Sequence, residues 1–295
     1  MSKLDVTQLF GVKGLVAVVT GAGSGLGKAM AHALDINGAA KVFILGRRES
    51  KLKEVAAEAK NGSLIPVVCD ITSKDSLQAA ASKIQATTPF LNLVVANSAI
   101  VGEVTSMAPR PAEQGLDELR KELWDKTPFE DASQVLSTNI AGSYFTFLAF
   151  ASLLGAGNTH PDSIGKSGLL QSQFVNVTST VGLSRAESPS FIYVASKAAL
   201  NHLMKTLSSE FSKHTIRANA IAPGLFYTEM TEGYIPENFG TVGALPWQDI
   251  PARRTGGQED IAGAVLYLAS RAGSFLNGCI LLVDGGMLSV RPGSY

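Results

Sequence analysis

The sequence predicts an α/β fold: one doubly wound parallel sheet flanked by helices on both faces. Three observations point there. Short apolar runs rich in Val, Ile and Leu recur along the 295 residues; stretches of helical period separate most of them; and the runs are continuous rather than alternating, as strands buried on both faces require. Strands alternating with helices of that length build βαβ units with right-handed crossovers. No internal repeat, low-complexity tract or Pro/Ser-rich linker interrupts the chain, so a single domain over 1–295 is expected.

In chain order, strands are expected at 15–20, 41–45, 64–69, 91–96, 174–178, 217–221 and 279–283. The first runs straight into Thr20-Gly21-Ala22-Gly23-Ser24-Gly25-Leu26-Gly27, and a helical pattern follows over 28–37. Glycine at a strand-to-helix turn permits a tight bend and close approach of backbone to a pyrophosphate, which the helix N-terminus favours through unpaired N–H groups and its dipole. Gly21, Ser24, Gly25, Leu26 and Gly27 are therefore candidate contacts of a dinucleotide, in a fold of Rossmann type. Such a turn also occurs as plain structure without a ligand. Lys28 follows Gly27, but Ala22 and Ala29 stand where a P-loop demands Gly and Ser or Thr, so an NTPase is excluded.

The second run ends in Leu45-Gly46-Arg47-Arg48, with Arg47 placed 20 residues after Gly27. Dinucleotide folds selective for NAD carry a carboxylate near this point for the ribose hydroxyls, whereas arginine suits the 2′-phosphate of NADP. Arg47 and Arg48 thus favour NADP(H), although Glu49 is close enough in sequence to pair with either.

Tyr193-Val194-Ala195-Ser196-Lys197 opens another helical run. Residues four apart share a helix face, so the ammonium of Lys197 can sit beside the phenol of Tyr193. An unperturbed Tyr titrates near pKa ≈ 10, and a neighbouring cation favours the phenolate, which makes the pair a tuned proton donor. The spacing alone recurs by chance, so its weight comes from the motifs around it.

Composition excludes other classes. Hydrophobic residues make up 45%, charged residues 17%, and Lys+Arg equals Asp+Glu at 25 each, leaving no basic field for a phosphate backbone; nucleic-acid binding is excluded as the main role. The apolar stretch weighed as a membrane span, 144–157, is shorter than a span needs, and no membrane association is expected. The N-terminus lacks a secretory or transit pattern, so a cytoplasmic address is expected. Cys69 and Cys279 lie far apart and His32, His160, His202 and His214 are scattered, so neither a disulfide nor a metal site is expected.

Taken together, these motifs resemble those of the short-chain dehydrogenase/reductase family. TGAGSGLG is similar to its TGxxxGxG cofactor loop, Tyr193 and Lys197 match its YxxxK pair, and VNVTSTVG carries Ser179 at the place of its carbonyl-binding serine. Asn139 in STNIAG, Asp70 and Ile71 in CDITS, Asn97, Asn219, the Pro223-Gly224 turn, Thr228 and the terminal VDGG follow in family order over nearly the whole chain.

The resemblance implies roles. Tyr193 would be the general acid in carbonyl reduction, and Lys197 would hold the nicotinamide ribose and lower the phenol's pKa. Ser179 would bond the substrate carbonyl, and Asn139 would hold a water relaying protons to Lys197. Asp70, Ile71, Asn97, Pro223, Gly224 and Thr228 would join the glycine loop and the two arginines around NADP(H). The implied activity is reversible reduction of a small-molecule carbonyl to an alcohol, by a homodimer or homotetramer. Two other readings share this scaffold: a non-redox isomerase, dehydratase or cyclase, and a cofactor-sensing binding protein, against which the intact Ser179, Tyr193 and Lys197 set argues.

Some positions depart from the family pattern. NNAG becomes Ala96-Asn97-Ser98-Ala99, replacing a glycine near the cofactor by Ala99. Ser179 and Tyr193 are one residue further apart than usual, which makes Thr180 a rival hydroxyl and places an insertion in 183–190. A long segment over 101–136 leaves the fourth strand where ligands bind and can reach the site mouth; another, over 155–173, enters the fifth strand from its opposite end and reads as a remote surface insertion. A substrate-side flap is expected over 224–256. Its Phe226, Tyr227, Tyr234, Phe239 and Trp247 suit either a lid over an apolar, ring-bearing substrate or packing on the protein body.

Overall fold

The computed structural model describes residues 4–102, 104, 113–186, 190–232 and 235–294. Among these, the strands are β1 (Val16–Thr20), β2 (Lys41–Gly46), β3 (Leu64–Val68), β4 (Leu93–Ala96), β5 (Gln173–Val177), β6 (Arg217–Pro223) and β7 (Ile280–Val283). They form one sheet in the order β3-β2-β1-β4-β5-β6-β7, and every neighbouring pair is parallel. Each strand falls on an apolar run expected from the sequence. The chain reverses its direction of winding between β1 and β4, and in such sheets ligands bind at the carboxyl ends of the strands beside that point.

The helices are α1 (Val6–Phe10), α2 (Gly25–Ile36), α3 (Glu49–Ala57), α4 (Lys74–Gln85), α5 (Leu116–Lys126), α6 (Phe129–Leu136), α7 (Ser143–Gly157), α8 (Phe191–Glu210) and α9 (Gln258–Ala269). Alternation along β1 shows how they cover the sheet. Ala17 and Val19 join a core with α2, α3 and α9, while Val16 and Val18 join the opposite core with α4, α7 and α8. All five β1 residues are buried, the two-sided burial that a continuous apolar run requires.

At the end of the sheet away from the site, Arg217 is buried at 3% exposure and donates to the carbonyls of Gln171, Gly273 and Leu276 over 3.0–3.3 Å. The segment 155–173 lies at this end, as expected from its position. It is tied into the core, however, because buried Asn92 bonds both the Val16 N–H and the Ser163 hydroxyl.

One expectation is corrected. Phe129 to Gly157 is a single continuous helix of 29 residues, long and apolar enough by length and composition to cross a membrane, so the stretch 144–157 was too short a reading. It runs on because a π-helical turn over Ser137–Gly142 joins α6 to α7 without a break. Here the helix packs on the sheet: Phe147, Phe150 and Leu153 enter the second core, and Phe147 meets Phe174 edge-on at 5.1 Å.

Candidate active site

A cleft of about 1190 Å³ opens at the carboxyl ends of β1, β2, β4, β5 and β6. It exceeds the roughly 300–1,000 Å³ of a pocket for one drug-sized ligand and can take an extended molecule plus a second reactant. Its floor is the glycine turn. Gly21 and Gly25 have φ of +64° and +53°, conformations that favour glycine, and a Cβ on Gly27 would lie 2.4 Å from the Gly21 carbonyl oxygen. The Ser24 side chain makes no capping bond to α2, so it does not cover the N–H groups of the first turn. These features fit a dinucleotide pyrophosphate, and only glycine allows the backbone this path.

Asn97 supports the turn from β4. Its amide donates to the carbonyls of Thr20 and Gly21 at 3.1 and 3.3 Å, and its N–H bonds Thr20 Oγ1 at 3.0 Å, so the residue braces the loop. Ala99 also lines the cleft and is not among the residues with positive φ. Its replacement of glycine therefore adds no backbone strain.

Arg47 and Arg48 line the cleft where β2 ends, beside Asp70, Ile71 and Thr72. Asp70 accepts from the N–H and hydroxyl of Thr72, which with the positive charge of Arg47 holds its carboxyl below the usual range. Glu49 pairs instead with Lys53. The partner of Arg48 is Glu229 in the flap, at 2.9 Å, a contact no local pattern could have revealed.

On the other side of the switch point, Ser179, Tyr193 and Lys197 converge. Ser179 begins a 3-10 turn over Thr180–Leu183 that leads toward α8. That turn packs so closely on α8 that a Cβ on Gly182 would lie 2.6 Å from the Lys197 carbonyl carbon, a requirement visible only once the two elements meet. Both rival hydroxyls donate to the Pro223 carbonyl, Ser179 at 3.4 Å and Thr180 at 3.2 Å, but Ser179 lines the cleft, whereas Thr180 is fully buried and does not.

Burial pushes the Tyr193 phenol up to about 12, against the opposing pull of a hydrogen bond with Ser179. Lys197, 2% exposed, donates to the Val177 carbonyl at 3.0 Å, and burial brings it down to about 7. Its Nζ lies 5.5 Å from the Tyr193 ring centroid. In this structure desolvation outweighs the effect expected of a neighbouring cation, and the phenol keeps its proton near neutrality.

Asn139 sits in the π-helical turn, fully buried. Its Oδ1 accepts from the Ile100 N–H at 2.9 Å, and its two amide hydrogens serve the Ile100 carbonyl and the Ser196 hydroxyl at 2.9 and 3.0 Å. The side chain thus ties the segment after β4 to the residue preceding Lys197. It does not itself line the cleft.

Pro223, Gly224 and Thr228 form the opposite wall, with Thr228 packed 3.5 Å from the Cβ site of Gly25. Of the flap aromatics, Phe226 is buried and lines the cleft, Tyr227 and Trp247 are exposed at 40% and 59%, and Phe239 packs with Leu245, Ile250 and Met287. Tyr234 lies outside the described residues, as do 187–189 of the 183–190 loop. The described aromatics therefore do not converge into an aromatic lid. Val101, Gly102, Val104, Ser133 and Gln134, from the long 101–136 segment, do reach the rim, although 103 and 105–112 lie outside the described residues.

The C-terminal tail contributes a contact that the sequence did not signal. Gly293 pairs antiparallel with Ser184, the Arg185 N–H bonds the Pro292 carbonyl at 2.6 Å, and the Ser294 N–H bonds that of Leu183 at 2.7 Å. It clasps the far end of the turn that begins at Ser179.

Comparisons with known proteins agree with this arrangement. A family model described as Enoyl-(Acyl carrier protein) reductase matches residues 21–288. The short-chain dehydrogenase/reductase VdtF of Byssochlamys spectabilis is 39% identical over 99% of this chain and 98% of its own, and the short-chain dehydrogenase/reductase SAT3 of Stachybotrys chartarum is 42% identical over 90% and 100%. A gluconate 5-dehydrogenase of Burkholderia cenocepacia, solved with NADP and tartrate, superposes with a TM-score of 0.77 at 26% identity, covering 97% of this chain and 99% of that one. On its parallel sheet, its glycine turn and these matches, the chain belongs to the short-chain dehydrogenase/reductase family of oxidoreductases.

Proposed function

We propose that this oxidoreductase uses NADPH to reduce a carbonyl of a small molecule to an alcohol, reversibly. The observation that carries the reading is that Ser179, Tyr193 and Lys197 meet in the cleft that the glycine turn and both arginines also line. Gly21, Ser24, Gly25, Leu26 and Gly27 would hold the pyrophosphate, Arg47 and Arg48 the 2′-phosphate, and Asp70 and Ile71 the adenine side. Bound NADP(H) would supply or accept the hydride.

The protein's part is proton transfer and charge stabilisation. Ser179 donates a hydrogen bond to the carbonyl oxygen, where negative charge develops. Tyr193, protonated at neutral pH, gives its proton to that oxygen. Lys197, with its Nζ 5.5 Å from the phenol ring centroid, would in its protonated form stabilise the phenolate left there, and its donors would hold the nicotinamide ribose. Asn139 is a positioning residue, fixing Ser196 and through it the start of α8, and any relay water would depend on atoms other than its two amide hydrogens.

The cleft's polar and aliphatic lining, with Phe226 and Tyr193 as its described aromatics, supports a small polar or aliphatic carbonyl more than a stack of rings. Exposed Tyr144 and Leu148 on α7, Phe191 on α8 and Leu282 on β7 support assembly into a homodimer or homotetramer through these faces. Both cysteines are free, which supports a reducing, cytoplasmic setting.

The test is to titrate the protein with NADPH and NADH, then follow reduced-nicotinamide absorbance over a panel of aliphatic, polyol-derived, aromatic and polycyclic ketones. Consumption of NADPH in preference to NADH, lost in Tyr193→Phe, is the expected result. Product formation without net NADPH consumption would overturn it.

A further inference from the structure

We propose that Glu229 sets the balance between NADPH and NADH by filling the anion site at the end of β2 with the chain's own carboxylate. This deepens the cofactor reading above and rests on it. Glu229 Oε2 lies 2.9 Å from Arg48 Nη2, and the same nitrogen donates to Ser24 Oγ at 3.4 Å. Hydrogen bonds from Arg48 and Ser24, with the positive fields of Arg48 and Lys51, hold the Glu229 carboxyl below its ordinary range. Donors from the glycine turn and from the start of α3 thus converge on one carboxylate delivered from 181 positions away. Its neighbour Thr228 packs on Gly25, so the flap backbone is seated beside this site.

The consequence for the two cofactors differs in sign. A 2′-phosphate drawn to Arg48 must displace Glu229 or sit next to a like charge, and either disfavours NADPH. A 2′-hydroxyl carries no charge and can donate to the carboxylate, as the ribose does where a dinucleotide fold places an acidic residue at the end of its second strand. The two arginines pull toward NADPH while Glu229, supplied from the flap, pulls toward NADH. Displacement of Glu229 would also break the ion pair joining the flap to the start of α3, so phosphate binding loosens the flap at that point.

The pair is half exposed, with side chains at 58% and 50%, so its removal leaves the fold intact and the effect reads out in binding. The experiment measures dissociation constants for NADPH and NADH by nucleotide fluorescence for the wild type, Glu229→Gln, Glu229→Asp, Arg48→Gln and the Arg48→Gln/Glu229→Gln double variant, at one salt concentration. Glu229→Gln should tighten NADPH by about five-fold and leave NADH unchanged or weaker. Glu229→Asp, which keeps the charge, should stay nearer the wild type, and the gain should shrink when Arg48 is already removed. An unchanged NADPH/NADH ratio in Glu229→Gln, or equal weakening of both, overturns the proposal. The cofactor reading is judged separately, on wild-type preference and on Arg47→Asp; a wild type that prefers NADH, with a ratio that still moves toward NADPH in Glu229→Gln, would sink that reading and keep this one.

Discussion

Tyr193 and Lys197 stand one helical turn apart on α8, with the lysine nitrogen 5.5 Å from the phenol ring, and burial moves their proton affinities in opposite directions, to about 12 and about 7. The phenol is held protonated and the amine is poised to lose its proton near neutrality. An acid for carbonyl reduction needs the first condition, and the second leaves the amine sensitive to any anion or hydroxyl brought beside it.

Removing the phenol oxygen should therefore stop chemistry and spare binding. Tyr193→Phe is expected to lower kcat by roughly 10²–10⁴-fold, the usual worth of a positioned general acid, with the NADPH dissociation constant nearly unchanged. Steady-state kinetics beside a fluorescence titration checks both halves, and substantial residual turnover would reassign the acid.

The lowered affinity of Lys197 has a stability consequence whose sign is fixed. Its folded value, about 7, lies below the ordinary lysine value of about 10.4, so between these the unfolded chain binds more protons and stability rises with pH. Thermal melts of the cofactor-free protein should shift upward from pH 7 to pH 9, and Lys197→Met should lack that rise. Tyr193 titrates above this window in both states and does not mask it. Parallel curves for the two proteins would contradict the assignment.

Arg47→Asp should weaken NADPH far more than NADH. Arg47 lines the cleft and lies close enough to lower the affinity of Asp70 for protons, so an aspartate there removes a phosphate partner and adds a second repulsive charge. A difference of tenfold or more is expected, since about 1.4 kcal/mol of lost charge-assisted bonding is enough for it. Equal losses for both cofactors would remove Arg47 from the phosphate site.

Far from the cleft, Arg217 supplies a test of the scaffold alone. It is buried, has no carboxylate partner among the described residues, and its donors satisfy three backbone carbonyls that join β6 to the segments before β5 and β7. Arg217→Met should cost about 1–3 kcal/mol, because it leaves those carbonyls without their donors. Denaturant melts would show the loss, while cofactor affinity, measured under folded conditions, should be unchanged.

What the sequence determined by itself was local. Continuous runs such as 15–20 and 41–45 place strands because two-sided burial leaves no room for alternation. Gly21, Gly25 and Gly27 place the strand-to-helix turn because only glycine accepts its backbone path at those positions. The four-residue step from Tyr193 to Lys197 puts both on one face because a helix repeats every 3.6 residues. Tertiary structure decided whatever depends on distant segments meeting. It gave Arg48 its partner Glu229 rather than Glu49, engaged both amide hydrogens of Asn139, separated Ser179 from Thr180, turned Trp247 and Tyr227 outward, and brought the tail at Gly293 onto Ser184. It also reversed the expected direction for the Tyr193 phenol. Desolvation belongs to the closed sheet and its packed helices, whereas spacing along the chain reports only which groups can be neighbours.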